Sequence, residues 1–421
     1  MASIDPARRA AAALLSGVLQ ERLTLAEQAG ELAALAPPDR ARAQRIALAT
    51  LRNLTRADAM LKPHLRKAPP PDLHVLLRLG TVEICALGEA PHGVTDALVT
   101  LARSGGQKTE GFAGLINAVL RKIASDTDRW ARLDPPALPG WLRGRLMSAY
   151  GKVAVMRMEA AHLAGAPTDL SVKAEAETWA AKLGAELLPT GSLRLAQAGQ
   201  ITELPGYATG DWWVQDAAAA LPARVLNAQP GEHVLDLCAA PGGKTLQLLA
   251  AGARVTALDV SAPRLDRLEE NLARCGMRAE TVVADALDWT PAAPFDAILL
   301  DAPCSATGTI RRHPDLPFVK DASGIKELAA LQAALLDRAP GWLKPGGRLV
   351  YATCSLLPEE GEAQIAAALS RHPGLRLVPI TAPGLDPDWL TETGCLRLRP
   401  DFWPDRGGLD GFFIAVLRRD G

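Results

Sequence analysis

A chain of 421 residues is longer than one small core can organise, and 48% hydrophobic with 22% charged content is ordinary for a globular protein of two or three domains. A formal net charge of -1 excludes a uniformly basic or acidic chain, and six cysteines without one C-x-x-C pair exclude zinc-ribbon and thioredoxin readings; no metal site is expected. No apolar run approaches the ~20 residues of a membrane span and no leader pattern opens the chain, so a cytoplasmic location, reduced thiols and no membrane partner are expected.

Residues 1 to about 130 read as helix throughout. Asp5-Pro6 is an N-cap and first-turn pair before Ala10 to Leu19. A second helix follows Asp39, with Ile46, Leu48, Leu51 and Leu54 near helical spacing. Pro69-Pro70-Pro71 breaks the chain before a helix over Leu73 to Leu87, and two more cover Val94 to Leu101 and Phe112 to Ile123. The polar faces carry Arg52, Arg56, Arg121 and Lys122, which suit either a solvated bundle surface or contacts to phosphate. Residues 1–140 hold 18 Lys/Arg against 14 Asp/Glu, a mild lean toward an anionic partner.

Pro135-Pro136 and Pro139 mark a linker. A small α+β segment follows, with a strand at Leu170 to Lys173 and a helix at Ala174 to Lys182. From Pro230 strands and helices alternate. Strands are predicted at His233–Leu237, Arg254–Leu258, Ala279–Val283, Phe295–Leu300 and Gly347–Tyr351, and helices at Ala262–Cys275 and Gly324–Leu343; Phe412 to Leu417 reads as a last strand. The alternation predicts an α/β fold with a parallel, doubly wound, Rossmann-like sheet. The expected domains are 1–132 (helical), 133–225 (linker and small α+β segment) and 226–421 (doubly wound sheet).

The first strand of that sheet runs into Cys238-Ala239-Ala240-Pro241-Gly242-Gly243-Lys244, a small-residue turn before a helix start. Such a turn lets backbone approach a ligand and offers free N–H groups. The spacing is neither that of a P-loop nor G-x-G-x-x-G. Asp259 ends the second strand, where a carboxylate can hold both hydroxyls of a ribose, and Asp285 follows the third, where it can bracket an adenine amine. This layout suits S-adenosylmethionine, with Arg264 and Asp301 completing the set of cofactor contacts.

Two further cysteines follow apolar strands: Cys304 in Asp301-Ala302-Pro303-Cys304-Ser305 and Cys354 in Thr353-Cys354-Ser355. Ligands collect at the carboxyl ends of parallel strands, so two thiols there point to covalent chemistry at carbon. Carbon 5 of cytosine is a poor nucleophile until a thiolate adds to carbon 6, after which it can take a methyl group. The adduct must then lose the carbon-5 proton and expel the thiol, a step a second residue can assist. Asp301 is placed to hydrogen-bond the ring, and Lys244 is a candidate cation for the thiolate. Cys238 lies inside the cofactor turn and is assigned to packing, as are Cys85, Cys275 and Cys395.

These motifs, with Gln215-Asp216 and Asp410-Gly411-Phe412-Phe413, resemble the signatures of the Sun-type RNA 5-methylcytosine methyltransferases. The N-terminal helices, through Leu76-Leu77-Arg78-Leu79-Gly80, Pro91-His92-Gly93-Val94 and Ile116-Asn117-Ala118-Val119-Leu120-Arg121, resemble the NusB-like RNA-binding fold. Together they imply the bacterial family that methylates cytosine in small-subunit (16S) rRNA, with Cys354 as nucleophile and Cys304 aiding release. In DNA cytosine methyltransferases the Pro-Cys cysteine attacks instead, so this assignment rests on the resemblance and not on spacing. The alternatives are a methyltransferase acting on tRNA, protein or a small molecule, and a non-catalytic antitermination protein. A monomer is expected.

Overall fold

Proline sets most helix starts in the N-terminal part. Helices α1 (Pro6–Ser16), α2 (Pro37–Arg52), α4 (Pro71–Cys85) and α5 (Pro91–Ser104) each begin on one, where the missing N–H costs nothing. Asp5 caps α1 by accepting from the Arg8 amide at 3.0 Å. Between and after them lie α3 (Leu54–Leu61), α6 (Ala113–Ala124), α7 (Thr127–Ala131) and α8 (Gly140–Ala164), the last interrupted at Gly151, whose φ of 77° lies in the left-handed region. Leu14, Ile46, Met60, Leu73, Leu98 and Leu120 form their shared core.

The computed structural model describes residues 4–105, 109–197 and 199–421. It divides into two units. One runs to Ala164 and also includes Ile310–Ala322; the other comprises Gly165–Thr309 and Ser323–Gly421. These limits differ from those expected at 132 and 225. The helical unit gains α8, where a linker was expected, and a segment that follows the Pro-Cys motif in sequence. That segment is tied in by backbone groups: Arg52 donates to the Arg311 carbonyl at 3.0 Å and Trp141 to the Pro317 carbonyl at 3.1 Å.

Two of the four expected surface cations are therefore structural. Arg52 spends its guanidinium on Arg311, and Arg56 lies 4.2 Å over the Trp130 ring while donating to the Trp130 carbonyl at 2.5 Å. Arg121 and Lys122 are exposed on α6. His162, at the end of α8, is buried with both ring nitrogens lacking a partner. Burial first, then Arg311 and Arg52, push it down to about 3. Above its unfolded value of about 6.5 both states are neutral; below it only the unfolded chain takes up a proton. Stability is thus expected to fall as pH drops, by about 2 kcal/mol between pH 6.5 and 5. Thermal scans of His162→Leu at pH 7 and 5 should show a shallower acid loss than wild type.

The second unit opens with a small antiparallel sheet of β1 (Thr168–Val172), β2 (Glu186–Leu187), β3 (Leu193–Leu195) and β4 (Trp212–Val214), in the order β2-β3-β1-β4, with α9 (Ala176–Leu183) against it. After α10 (Leu221–Leu226) come β5 (His233–Leu237), α11 (Gly243–Ala250), β6 (Arg254–Asp259), α12 (Ala262–Arg274), β7 (Glu280–Val283) and β8 (Phe295–Asp301). The short α13 (Leu316–Val319) lies in the segment belonging to the helical unit. Then follow α14 (Gly324–Arg338), β9 (Leu343–Thr353), α15 (Glu362–Arg371), β10 (Leu375–Val378), β11 (Leu396–Leu398) and β12 (Phe412–Arg419).

The large sheet runs β10-β12-β9-β8-β5-β6-β7, with β11 on β12. Strands β9 to β7 in that order are parallel, as the alternation predicts; β12 enters antiparallel to β9 and β10. Ala297 to Leu300 of β8 are wholly buried, which accounts for their unbroken apolar run. The strand order reverses between β5 and β8, so the crevice expected at a topological switch point lies at the carboxyl ends of those two strands.

Candidate active site

Five segments meet at the carboxyl ends of β5, β6, β8 and β9. The turn after β5 is shaped by two residues in the left-handed region, Cys238 (φ 64°) and Gly242 (φ 102°). At Gly242 the position suits glycine twice, because a Cβ there would also lie 2.7 Å from Leu268. Asp259, 2% exposed, accepts from the Ala240 amide at 3.2 Å and the Ser261 amide at 3.0 Å. Arg264 reaches across to Asp259 at 3.6 Å and donates to the Ala240 carbonyl. The acid at the end of β6 is thereby fixed against the Gly-rich turn. Asp285 is exposed beyond β7 and accepts from the Leu287 amide at 2.8 Å.

Lys244 and Asp301 span the switch point, Nζ to Oδ2 at 2.6 Å. Burial opposes the charge on Lys244, but Asp301 foremost, with Asp236 and the Cys354 sulfur, outweighs it and raises its pKa. Lys244 also lies 5.6 Å over the Phe412 ring. Asp236 is a carboxyl the sequence reading passed over. Burial lifts it to about 7 even though Thr245 donates to it at 2.6 Å. Cys238 is pushed up by burial first and then by Asp259, Asp301 and Asp236, which fits a packing role.

The two remaining cysteines, fifty residues apart, bring their sulfurs to 3.4 Å. Both are half-buried free thiols. Cys304 is held well above the ordinary thiol range, first by the hydrogen bond it shares with Cys354, then by burial, then by the charges of Cys354 and Glu360. Backbone packing fixes the pair. The Gly308 amide donates to the Cys354 carbonyl at 2.9 Å, and the Gly411 amide to the Gly308 carbonyl at 2.8 Å. A Cβ on Gly308 would fall 2.0 Å from the Gly411 oxygen, so the two glycines are required by contact between the Pro-Cys and Asp-Gly-Phe loops.

Glu360 is the site residue the sequence reading missed. Its wholly buried carboxylate accepts from the Ser305 amide at 2.9 Å, from the Ser305 hydroxyl, from Ser355 Oγ at 2.6 Å and from Gln332 at 3.1 Å. Its carbonyl accepts from Tyr351 at 2.9 Å and Thr353 at 3.1 Å. One carboxylate thus ties the residues that follow both cysteines. Glu360→Ala leaves several buried donors unmatched and lets the loops shift. A displacement near 1 Å can cost about 100-fold, so kcat is expected to fall by that order while S-adenosylmethionine affinity stays unchanged. Single-turnover methylation alongside calorimetry would check both halves.

Among the described residues no group of three or more His, Cys, Asp or Glu could hold a metal ion, and no helix is long and apolar enough to cross a membrane. Comparison with known proteins bears on the whole chain. The family described as 16S rRNA methyltransferase RsmB/F matches residues 223–418, and the NusB family matches residues 5–125. The ribosomal RNA small subunit methyltransferase B of Xanthomonas campestris is 37% identical, over 97% of this chain and 96% of its own. That of Pseudomonas putida is 37% identical over 98% and 97%. The crystal structure of a methyltransferase homologue from Pyrococcus horikoshii superposes with a TM-score of 0.56 at 30% identity, covering 66% of this chain and 94% of that one.

Proposed function

This chain belongs to the RsmB/F family of 16S rRNA methyltransferases, and from that premise we propose that it methylates carbon 5 of a cytosine in small-subunit rRNA through a covalent adduct on Cys354. S-adenosylmethionine supplies the methyl group. The observation that carries the reading is the 3.4 Å contact between the Cys304 and Cys354 sulfurs, which brings the two strand-end thiols together. The Cys304 thiol is held above its ordinary range by its hydrogen bond with Cys354 first, then by burial and by the charges of Cys354 and Glu360. In this reading Cys354 is the sulfur that attacks, with the charge of Lys244 nearby.

In this account the Cys354 thiolate adds to carbon 6 of the base, and a carbon–sulfur bond forms. The electron pair pushed to carbon 5 takes the methyl group. The proton on carbon 5 must then leave so that the ring can expel Cys354 as thiolate. Once Cys354 is a neutral thioether it no longer stabilises the proton of Cys304. That proton can pass to solvent, and Cys304 becomes the base that takes the one on carbon 5. Bond formation at one sulfur thereby releases the other for its task. Asp301, anchored by Lys244 through Oδ2, keeps its second oxygen for the polar edge of the cytosine.

The groups present fit the cofactor. The turn Cys238 to Lys244 presents backbone, Asp259 is a buried carboxylate that would take the ribose hydroxyls, and Asp285, exposed after β7, would bracket the adenine amine. Arg264 braces Asp259 and the turn. The thiol must reach the face of the ring, so the target base has to be unstacked or come from a loop. The NusB-family unit, with Arg121 and Lys122 exposed on α6, is the element that would hold the RNA by its phosphates.

The test is methyl transfer from labelled S-adenosylmethionine to 16S rRNA, read as 5-methylcytosine. Asp259→Ala is expected to weaken cofactor binding by about 1.5–3 kcal/mol, because a charge-assisted acceptor is lost. Label recovered on protein or tRNA but not on 16S rRNA would overturn the reading.

A further inference from the structure

A second pocket lies within the same unit, built from different residues. It is a cavity of about 530 Å³. One wall is β1, another the turn between β2 and β3, a third the C-terminal ends of α10 and α11, and the last the segment at Ala382-Pro383. None of the residues assigned above to cofactor or catalysis lines it. The two turns that frame it are packed backbone to backbone, since a Cβ on Gly384 would lie 2.0 Å from the Pro189 carbonyl oxygen.

Two of its polar side chains lack partners among the described residues. Ser171 and Thr190, 2% and 6% exposed, each have a hydroxyl without a hydrogen bond. Buried hydroxyls are normally satisfied, so two orphans in one cavity ask for a ligand or water. Arg224 points the same way. Its guanidinium lies against Gly191, where a Cβ would sit 3.0 Å from Nη1, and it donates to Ser192 Oγ at 3.3 Å, its one side-chain partner among the described residues. Among the described residues no carboxylate pairs with it, and burial pulls it down to about 10. A desolvated cation without an acid lacks its counter-charge.

We propose that this cavity binds a phosphate-bearing nucleotide, with its phosphate at Arg224, Ser171 and Thr190 and its base against the apolar walls. A fork of guanidinium donors beside two hydroxyls suits an oxyanion with several acceptors. The volume far exceeds one inorganic ion and lies in the range of small-molecule sites. Pro189 and Pro383 offer flat apolar faces, and Asn227 offers an amide for a base edge. Two sources carry this chemistry: a free nucleoside monophosphate, or one nucleotide of the bound RNA strand. Only the second rests on the rRNA reading above.

The test uses full-length protein with its cofactor site saturated by S-adenosylhomocysteine. Calorimetric titration with CMP and AMP addresses the free nucleotide, and salt-controlled affinity for a 16S rRNA fragment addresses the strand. Arg224→Gln removes the cation. Ala251→Trp fills the mouth from an exposed position and leaves Arg224 in place. At least tenfold weaker binding of a mononucleotide in both variants supports the free ligand. At least tenfold weaker binding of the fragment in both, without mononucleotide binding, supports the strand. Binding of both probes unchanged in Ala251→Trp overturns the proposal, whatever Arg224→Gln does to folding. Absence of rRNA methylation by the wild-type protein, with CMP binding intact, would instead be a failure of the methyltransferase reading.

Discussion

Cys354→Ala is expected to abolish methylation of rRNA while leaving S-adenosylmethionine affinity unchanged. The groups proposed for the cofactor, from Cys238 to Lys244 with Asp259, make no hydrogen bond to Cys354, and only the charge of Lys244 reaches its sulfur, so its removal bears chiefly on the route to carbon 6. Without the thiolate there is no enamine at carbon 5 and nothing to take the methyl group. Loss of a covalent nucleophile typically lowers turnover by on the order of 10⁴-fold or more. Labelled methyl transfer to 16S rRNA measures the first half and calorimetry the second. Turnover within tenfold of wild type would show that the adduct forms elsewhere.

Cys304→Ala is expected to behave in the opposite way, stalling after methyl transfer and leaving the enzyme on its RNA. With no base beside carbon 5, the proton stays and Cys354 cannot be expelled. Sulfurs 3.4 Å apart could both reach one ring in the proposed mechanism, which is why the second step should fail without harm to the first. Protein purified from cells and run on a denaturing gel should show a nuclease-sensitive, slower species in this variant. A Cys304→Ala enzyme that loses activity without any RNA-linked species would reverse the two roles.

Much of this site was legible in the sequence because its signals are local. A strand followed by small residues and a helix start marks the turn proposed for the cofactor, and Asp259, Asp301 and Cys354 each fall at or just after an apolar strand. Glu360 was not legible. It stands in Pro358-Glu359-Glu360-Gly361, which reads as a solvated acidic turn; its burial depends on Ser305, from a loop 55 residues earlier. The contact of Gly308 with Gly411 is likewise tertiary, since either glycine alone looks like a loop residue.

The helical unit shows the same division. Its helix starts followed from Pro6, Pro71 and Pro91. Arg52 and Arg56 read as a polar stripe because nothing nearby in sequence announces the chain from Ile310 to Ala322, or Trp130, that covers them. Helix α8 was hidden by Pro135, Pro136 and Pro139 before it and by Gly140, Gly144 and Gly151 within it, which together read as linker.

The central claim, that Cys354 and not Cys304 joins carbon 6, can be read from one trapped complex. With 5-fluorocytosine in the target RNA, methyl transfer leaves a fluorine on carbon 5 that cannot depart as a proton does, so the adduct persists. Digestion and mass spectrometry of that complex should place the nucleotide on the peptide containing Cys354, with Cys304 unmodified. A nucleotide found on Cys304 would contradict the account.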